Sequence, residues 1–290
     1  MNTVTAVDDQ VQAVSEPPLH LPDPAYLDAA VVQMVSAPDL DHNLLRAEAL
    51  IREAAQRGAQ LVSLPEYFCL LGRRDTDKLA LREAWGDGPI QSFLTDMARR
   101  FKLWIAGGTV PIACADPRRV RNTQIMVDPL GRCRARYDKI HLFGFEKGEE
   151  RFKESDTIES GCSPVLCDLG HWRLGLTVCY DLRFPELYRR LAPSDALLVP
   201  SAFTYTTGKA HWEILLRARA IENQCYVLAA AQGGEHLNGR RTWGQTMIVD
   251  PWGEIVAQHA EGEAVVIARL QRERIEQVRG MLPALAHRVL

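Results

Sequence analysis

The sequence predicts an α/β protein in which mixed β-sheets are covered by helices. Apolar, strand-like runs alternate with amphipathic segments from about Asp28 onward. Two strand–turn–strand stretches, Asn122 to Tyr137 and Met247 to Ile255, interrupt that alternation. No linker, composition shift or low-complexity segment divides the chain, so one domain is expected over residues 28–270.

The elements follow in order. Residues 1–27 read as a flexible tail. Met1 to Pro24 is polar, carries Asp8, Asp9 and Glu16 and a Pro17-Pro18 pair, and has no basic-then-apolar secretory signal. Ala29 to Val35 reads as a buried strand. Leu44, Leu45, Ala47, Leu50, Ile51, Ala54 and Ala55 recur at helical spacing, and Gly58 suits the position past the helix end. Ala59 to Leu64 is the second strand, which delivers Glu66. A helix over Ile90 to Lys102 precedes a strand at Leu103 to Gly107. Asn122 to Tyr137 turns at Asp128-Pro129-Leu130-Gly131, and Met247 to Ile255 repeats Val-Asp-Pro-x-Gly, a weak sign of two related halves. Trp172 to Val178 is a strand ending at Cys179. Helix Pro185 to Leu191, strand Ala196 to Pro200, helix His211 to Asn223, and strands Cys225 to Ala231 and Glu263 to Leu270 complete the pattern. Residues 271–290 read as a C-terminal helix and tail. Two sheets face to face and a single doubly wound sheet both fit this rhythm.

Composition narrows the function. Of 290 residues, 47% are apolar and 24% charged, the usual mix of a soluble globular enzyme. A net charge of −3 with no basic stripe argues against nucleic acid as a partner, and no apolar run reaches membrane-spanning length. The seven cysteines are odd in number and none has C-x-x-C spacing, which points to free thiols in a reducing, cytoplasmic compartment. Cys69 and Cys225 read as small buried hydrophobes.

Cys179, Glu66 and Lys139 carry the chemistry. Cys179 ends a strand and opens a helical stretch, where backbone N–H groups and a nearby ammonium would favour the thiolate. The polar run Tyr180-Asp181-Leu182-Arg183-Phe184-Pro185-Glu186 after it does not suit an inert core. Glu66 follows Pro65 at a strand end; beside a thiol and partly buried, it would have a raised pKa and would serve as general base and acid. Lys139 lies in Tyr137-Asp138-Lys139-Ile140-His141-Leu142-Phe143 and would aim a fixed positive charge at an oxyanion, together with the Tyr180 backbone N–H. Alone, each of these residues would be an ordinary core cysteine, strand-end glutamate or surface lysine. His141 reads as structural, because no Asn or Asp partner pattern of a papain-like site is evident, and so does His211, on a helix before Trp212 and Glu213.

Together, Leu64-Pro65-Glu66, Asp138 to Phe143 and Val178 to Glu186 resemble the Glu-Lys-Cys triad motifs of the carbon–nitrogen hydrolase (nitrilase) superfamily, and the likeness covers about residues 28–288. A fourth match, Arg151-Phe152-Lys153-Glu154-Ser155, implies Glu154 as a supporting carboxylate. The resemblance implies a four-layer α-β-β-α sandwich, a homodimer or higher homo-oligomer, no metal and no organic cofactor. Thr206 to Glu213 and Leu216 to Tyr226 look most like the amidases of deaminated glutathione, and ω-amidases come second. The implied reaction is hydrolysis of the terminal amide of a small carboxylic acid through a cysteine thioester, with release of ammonia. Arg183, Thr206 and Thr207 are the implied substrate contacts, and the charged loop Gly144 to Glu150 lies where substrate choice would be made. The alternatives are a nitrilase or N-carbamoyl amino acid hydrolase with the same triad, and a catalytically silent binding protein on the same fold.

Overall fold

Side chains of the strand Tyr26–Gln33 alternate between two apolar environments, and that alternation sets the architecture. Leu27, Ala29 and Val31 enter one core, shared with Leu174, Leu176, Ala196 and Leu198 of a second sheet. Ala30 and Val32 enter another, shared with Ile51, Ala54, Ile90 and Leu94 of two helices. A strand apolar on both faces must be covered on both. The computed structural model describes residues 19, 21–148 and 150–289. Most of the tail expected over residues 1–27, up to residue 18 and at residue 20, lies outside them.

The first sheet has seven strands. Ala264–Gln271, Tyr26–Gln33, Leu61–Ser63, Trp104–Ala106, Val120–Val127 and Val110–Ala113 lie side by side in that order, and Cys133–Asp138 also pairs with Val120–Val127. The second has six, in the order Ile255–His259, Thr246–Val249, Tyr226–Ala229, Ala196–Leu198, Trp172–Leu176 and Val165–Leu169. Central pairs are parallel and outer pairs antiparallel, so both sheets are mixed. Helices α1 (Leu40–Gln56) and α2 (Pro89–Phe101) cover the outer face of the first sheet. Helices α3 (Pro185–Leu191) and α4 (Tyr205–Asn223) cover that of the second, and α5 (Arg272–Met281) follows the last strand. The result is a four-layer α-β-β-α sandwich, not a single doubly wound sheet. Among the described residues no helix is long and apolar enough to cross a membrane.

The repeated Val-Asp-Pro-x-Gly segments form the same turn, one in each sheet. Asp128 accepts the N–H groups of Leu130 and Arg132 at 2.9 and 3.0 Å; Asp250 accepts those of Trp252 and Glu254 at 2.9 and 2.8 Å. Two details differ from the sequence reading. Helix α4 begins at Tyr205 rather than His211, because Thr204 caps it through the Thr207 N–H. Its Thr-Thr-Gly start hides the helix from periodicity, and Gly208 is required there: a Cβ would lie 2.2 Å from Trp243 Cβ. The segment expected as a loop over Gly144 to Glu150 is instead part of a hairpin, Gly144–Lys147 with Glu150–Lys153, in which Phe145 opposes Phe152.

Candidate active site

Three strand ends deliver the reactive groups to one place. The strand Leu61–Ser63 stops where Leu64 N–H bonds Ala106 O, and Tyr67 then takes a left-handed φ of 58° with its N–H on Thr109 Oγ1. Gly108 makes that bend possible, since a Cβ there would sit 2.1 Å from Pro65 O. Glu66 is thereby turned into the space between the sheets. Lys139 directly follows the strand Cys133–Asp138, with its N–H on Asn122 O at 3.0 Å. Cys179 lies just beyond Trp172–Leu176 with φ of 48°, its N–H held by Pro200 O at 2.9 Å. A left-handed non-glycine residue costs about 1–3 kcal/mol and persists only where its surroundings fix it. Asp181 does much of the fixing. It is fully buried and accepts the Val178 N–H (2.8 Å), the Tyr137 hydroxyl (2.7 Å) and the His141 N–H (3.0 Å), tying the lysine strand to the cysteine turn.

The turn that Cys179 opens is a short 3-10 helix, Cys179–Arg183, and not the helix beginning at Pro185, which starts separately after Phe184. Its first i→i−3 bond runs from Asp181 N–H to Val178 O (3.1 Å), so the Tyr180 N–H precedes the ladder.

The charged groups meet inside. Lys139 is wholly buried and donates to Glu66 Oε1 at 2.9 Å and to both Glu154 oxygens at 3.0 and 2.8 Å. Glu66 also accepts from Asn122 Nδ2 (2.9 Å) and the Ala202 N–H (3.0 Å), and it shares a cavity wall with Cys179. Glu154 completes its shell with the Tyr67 hydroxyl (2.9 Å) and the Phe143 N–H (2.7 Å). Burial raises the Glu66 pKa, and although Lys139 opposes this, Glu154 adds to it. Burial also disfavours the Lys139 ammonium, but Glu154 and then Glu66 outweigh it and hold its pKa well above the ordinary value. For Glu154 the balance reverses: burial is overcome by Lys139, and its pKa falls. Burial and then the Glu66 charge push the Cys179 thiol well up, more than Lys139 pulls it down. The sequence reading expected an ammonium to favour the thiolate; two carboxylates and desolvation reverse that sign. Burial and the neighbouring carboxyl groups thus favour the thiol form of Cys179.

Glu66, Tyr67, Glu154 and Cys179 line a cavity of about 480 Å³, and the buried Lys139 is bonded to two of them without reaching its wall. Thr206 is on the same wall. Thr207 and Arg183 are not; they line a small recess beside Cys179 and Tyr180. Arg183 is held there by His211 Nδ1 (3.3 Å) and by the faces of Tyr180 and Phe203. The cations on the cavity wall are instead Arg74, Lys78, Lys153, Arg240 and Arg241, none of which the sequence reading selected. Nor did it select Asn122 or the Ala202 N–H, which carry no local signal; Tyr67, adjoining Glu66, had one. His141 does have an aspartate partner, Asp181 (2.7 Å), yet its ring stacks on Phe184 and is absent from the cavity wall.

Comparison with known proteins agrees with this geometry. The carbon-nitrogen hydrolase family model matches residues 28–280. The chain belongs to that family. A deaminated glutathione amidase from Synechocystis is 45% identical over 267 residues, covering 90% of this chain and 97% of the relative. The NitFhit protein of Caenorhabditis elegans superposes with a TM-score of 0.85 at 38% identity; the match covers 91% of this chain but only 65% of that longer one. A mutant amidase from Nesterenkonia, in which the acetamide moiety of fluoroacetamide is covalently added to the active-site cysteine, superposes with a TM-score of 0.77 at 26% identity. That match covers 93% of this chain and 96% of the amidase.

Proposed function

We propose that this protein hydrolyses the amide of a small carboxylic acid, of the deaminated glutathione or ω-amide type, through a thioester on Cys179. The observation that carries the proposal is the convergence of Glu66, Lys139 and Glu154 on a cysteine at the floor of a cavity walled with cations. Sulfur attacks the amide carbonyl while Glu66 takes the thiol proton. Lys139 Nζ and the Tyr180 N–H hold the oxyanion, and Glu154 keeps Lys139 in place. Glu66 then gives its proton to the departing nitrogen, leaving the thioester. Water loses a proton to Glu66, attacks the thioester carbonyl, and the acid leaves as the proton returns to sulfur. Net, one amide and one water give one acid and one amine. An ω-amide releases ammonia; deaminated glutathione has no primary amide and releases an amine, so ammonia detection alone would miss it.

The thiols of all seven cysteines are unpaired, which supports a reducing, cytoplasmic setting. A homodimer is the assembly we favour, supported by the exposed apolar residues Ile214 and Ile221 on α4 and Trp252, whose neighbour Gly253 lies against Ile221. The decisive experiment is Cys179→Ala, assayed on deaminated glutathione and on ω-amides by following the free acid. Turnover should vanish while circular dichroism stays native, and the wild type quenched in acid should show the acyl mass on the Cys179 peptide. Retained turnover, or an acyl group elsewhere, would remove the nucleophile assignment.

A further inference from the structure

Lys78 stands apart from the other cations of the cavity. Arg240 is paired with Asp75 at 2.6 Å, Arg241 lies 3.4 Å from Glu261 and over the Tyr205 ring, and Arg74 is largely in solvent beside Asp77. Lys78 sits deeper. It projects from a single 3-10 turn, Asp77–Leu79, over the face of Tyr67 at 5.7 Å, and its hydrogen bond is to a neutral group, Thr157 Oγ1, at 3.1 Å. Among the described residues no carboxylate comes within ion-pair distance of it. Burial works against its charge and lowers its pKa, although Glu154 and Asp75 act the other way from a distance. An ammonium that is desolvated without a contacting anion is costly, and an incoming anion removes the cost.

Its position relative to the reacting atoms is set by a short chain of contacts. The Tyr67 ring beneath it ends in a hydroxyl bonded to Glu154, which holds Lys139. Lys78 is thus one aromatic ring away from the triad, on the same cavity wall as Cys179. A carboxylate several atoms from the scissile carbonyl would meet it while that carbonyl lies at the sulfur. The acyl half of a substrate stays tethered to Cys179 after the amine has left, so the deep cation is suited to the acyl half. Each of the other cations on the wall already has a carboxylate partner: Arg74 has Asp77, Lys153 has Asp156, Arg240 has Asp75 and Arg241 has Glu261.

We propose that Lys78 is a specificity-determining residue that binds the carboxylate on the acyl half of the substrate, selecting monoamides of dicarboxylic acids over neutral amides. This rests on the amidase reading above. The test is Lys78→Met with Lys78→Arg beside it, each assayed on an ω-monoamide of a dicarboxylic acid and on a neutral aliphatic amide of equal length. Loss of one charge-assisted bond predicts that the ratio of kcat/KM for acid over neutral amide falls about 10- to 100-fold in Lys78→Met, mostly through KM, with partial recovery in Lys78→Arg. A third substrate, a neutral acyl group on an amine that bears a carboxylate, should be discriminated equally by wild type and Lys78→Met. A ratio that stays constant, with both amides falling together or neither, would assign Lys78 a structural role and overturn the inference. A change confined to the third substrate would also overturn it, by placing Lys78 at the leaving group. A wild type inactive on all amides would instead refute the amidase reading itself.

Discussion

Replacing Glu154 by Gln tests how the buried charges share one cation. Lys139 makes three charge-assisted bonds, one to Glu66 and two to Glu154. Glutamine keeps the shape but offers one acceptor oxygen where four hydrogen bonds now converge from three groups: the Tyr67 hydroxyl, the Phe143 N–H and Lys139, which gives two. Its amide N–H₂ must then face a donor. Loss of a charged hydrogen bond costs about 1.5–3 kcal/mol, and Lys139 retains Glu66, so the fold should lose about 2 kcal/mol rather than collapse. The kinetic cost should be of the size of a displaced oxyanion donor, about 3 kcal/mol, or about 100-fold in kcat. The pH profile supplies a second readout. Burial is the main cause of the raised Glu66 pKa, but the Glu154 charge adds to it. Removing that charge should therefore move the acid limb of kcat/KM to lower pH. Urea melts and initial rates of acid formation from pH 4 to 8 measure all three quantities. A variant with kcat within threefold of wild type and an unmoved acid limb would refute the account of Glu154.

Two further outcomes concern the scaffold. Asp181→Asn should lower stability by about 2–4 kcal/mol in urea melts, because an amide cannot accept all of the bonds that Val178, Tyr137 and His141 give it; a loss under 0.5 kcal/mol would show that the bridge between lysine strand and cysteine turn is dispensable. Stability should also fall in alkali. Burial lifts the Cys69, Cys167 and Cys225 thiols to about 12. Above pH of about 9 the unfolded chain releases these protons while the folded chain keeps them, so each thiol lowers stability by up to about 1.4 kcal/mol per pH unit until about pH 12. Urea midpoints from pH 8 to 11 in reductant should decline, and less steeply in Cys225→Ala; an unchanged slope in that variant would contradict the assignment.

Local residue order determined a good deal of this protein. Period-2 and period-3.6 apolar patterns gave most strands and helices to within a few residues, since burial on one face leaves a repeat that is readable along the chain. Where the first turn of α4 rests on Thr204 and Gly208 there is no apolar repeat, and the helix start was missed. The proposed triad was readable because Glu66, Lys139 and Cys179 each sit in a short segment of unusual residue types. Their partners were not: Asn122, the Ala202 N–H and Lys78 look like any amide, backbone group or lysine until the sheets stack. Arg183 shows the converse, for a residue close to Cys179 in sequence turns toward His211 and Phe203 and away from the larger cavity. The sign of the Cys179 shift was likewise beyond the sequence, because it depends on two carboxylates and a desolvated pocket assembled from separate segments (Glu66 lies 88 positions before Glu154). Residue types and their spacing decide which chemistry is available. Electrostatics fall off with distance through space and not along the chain, so only the packed sandwich decides which charges face each other and which cation is left to meet a substrate.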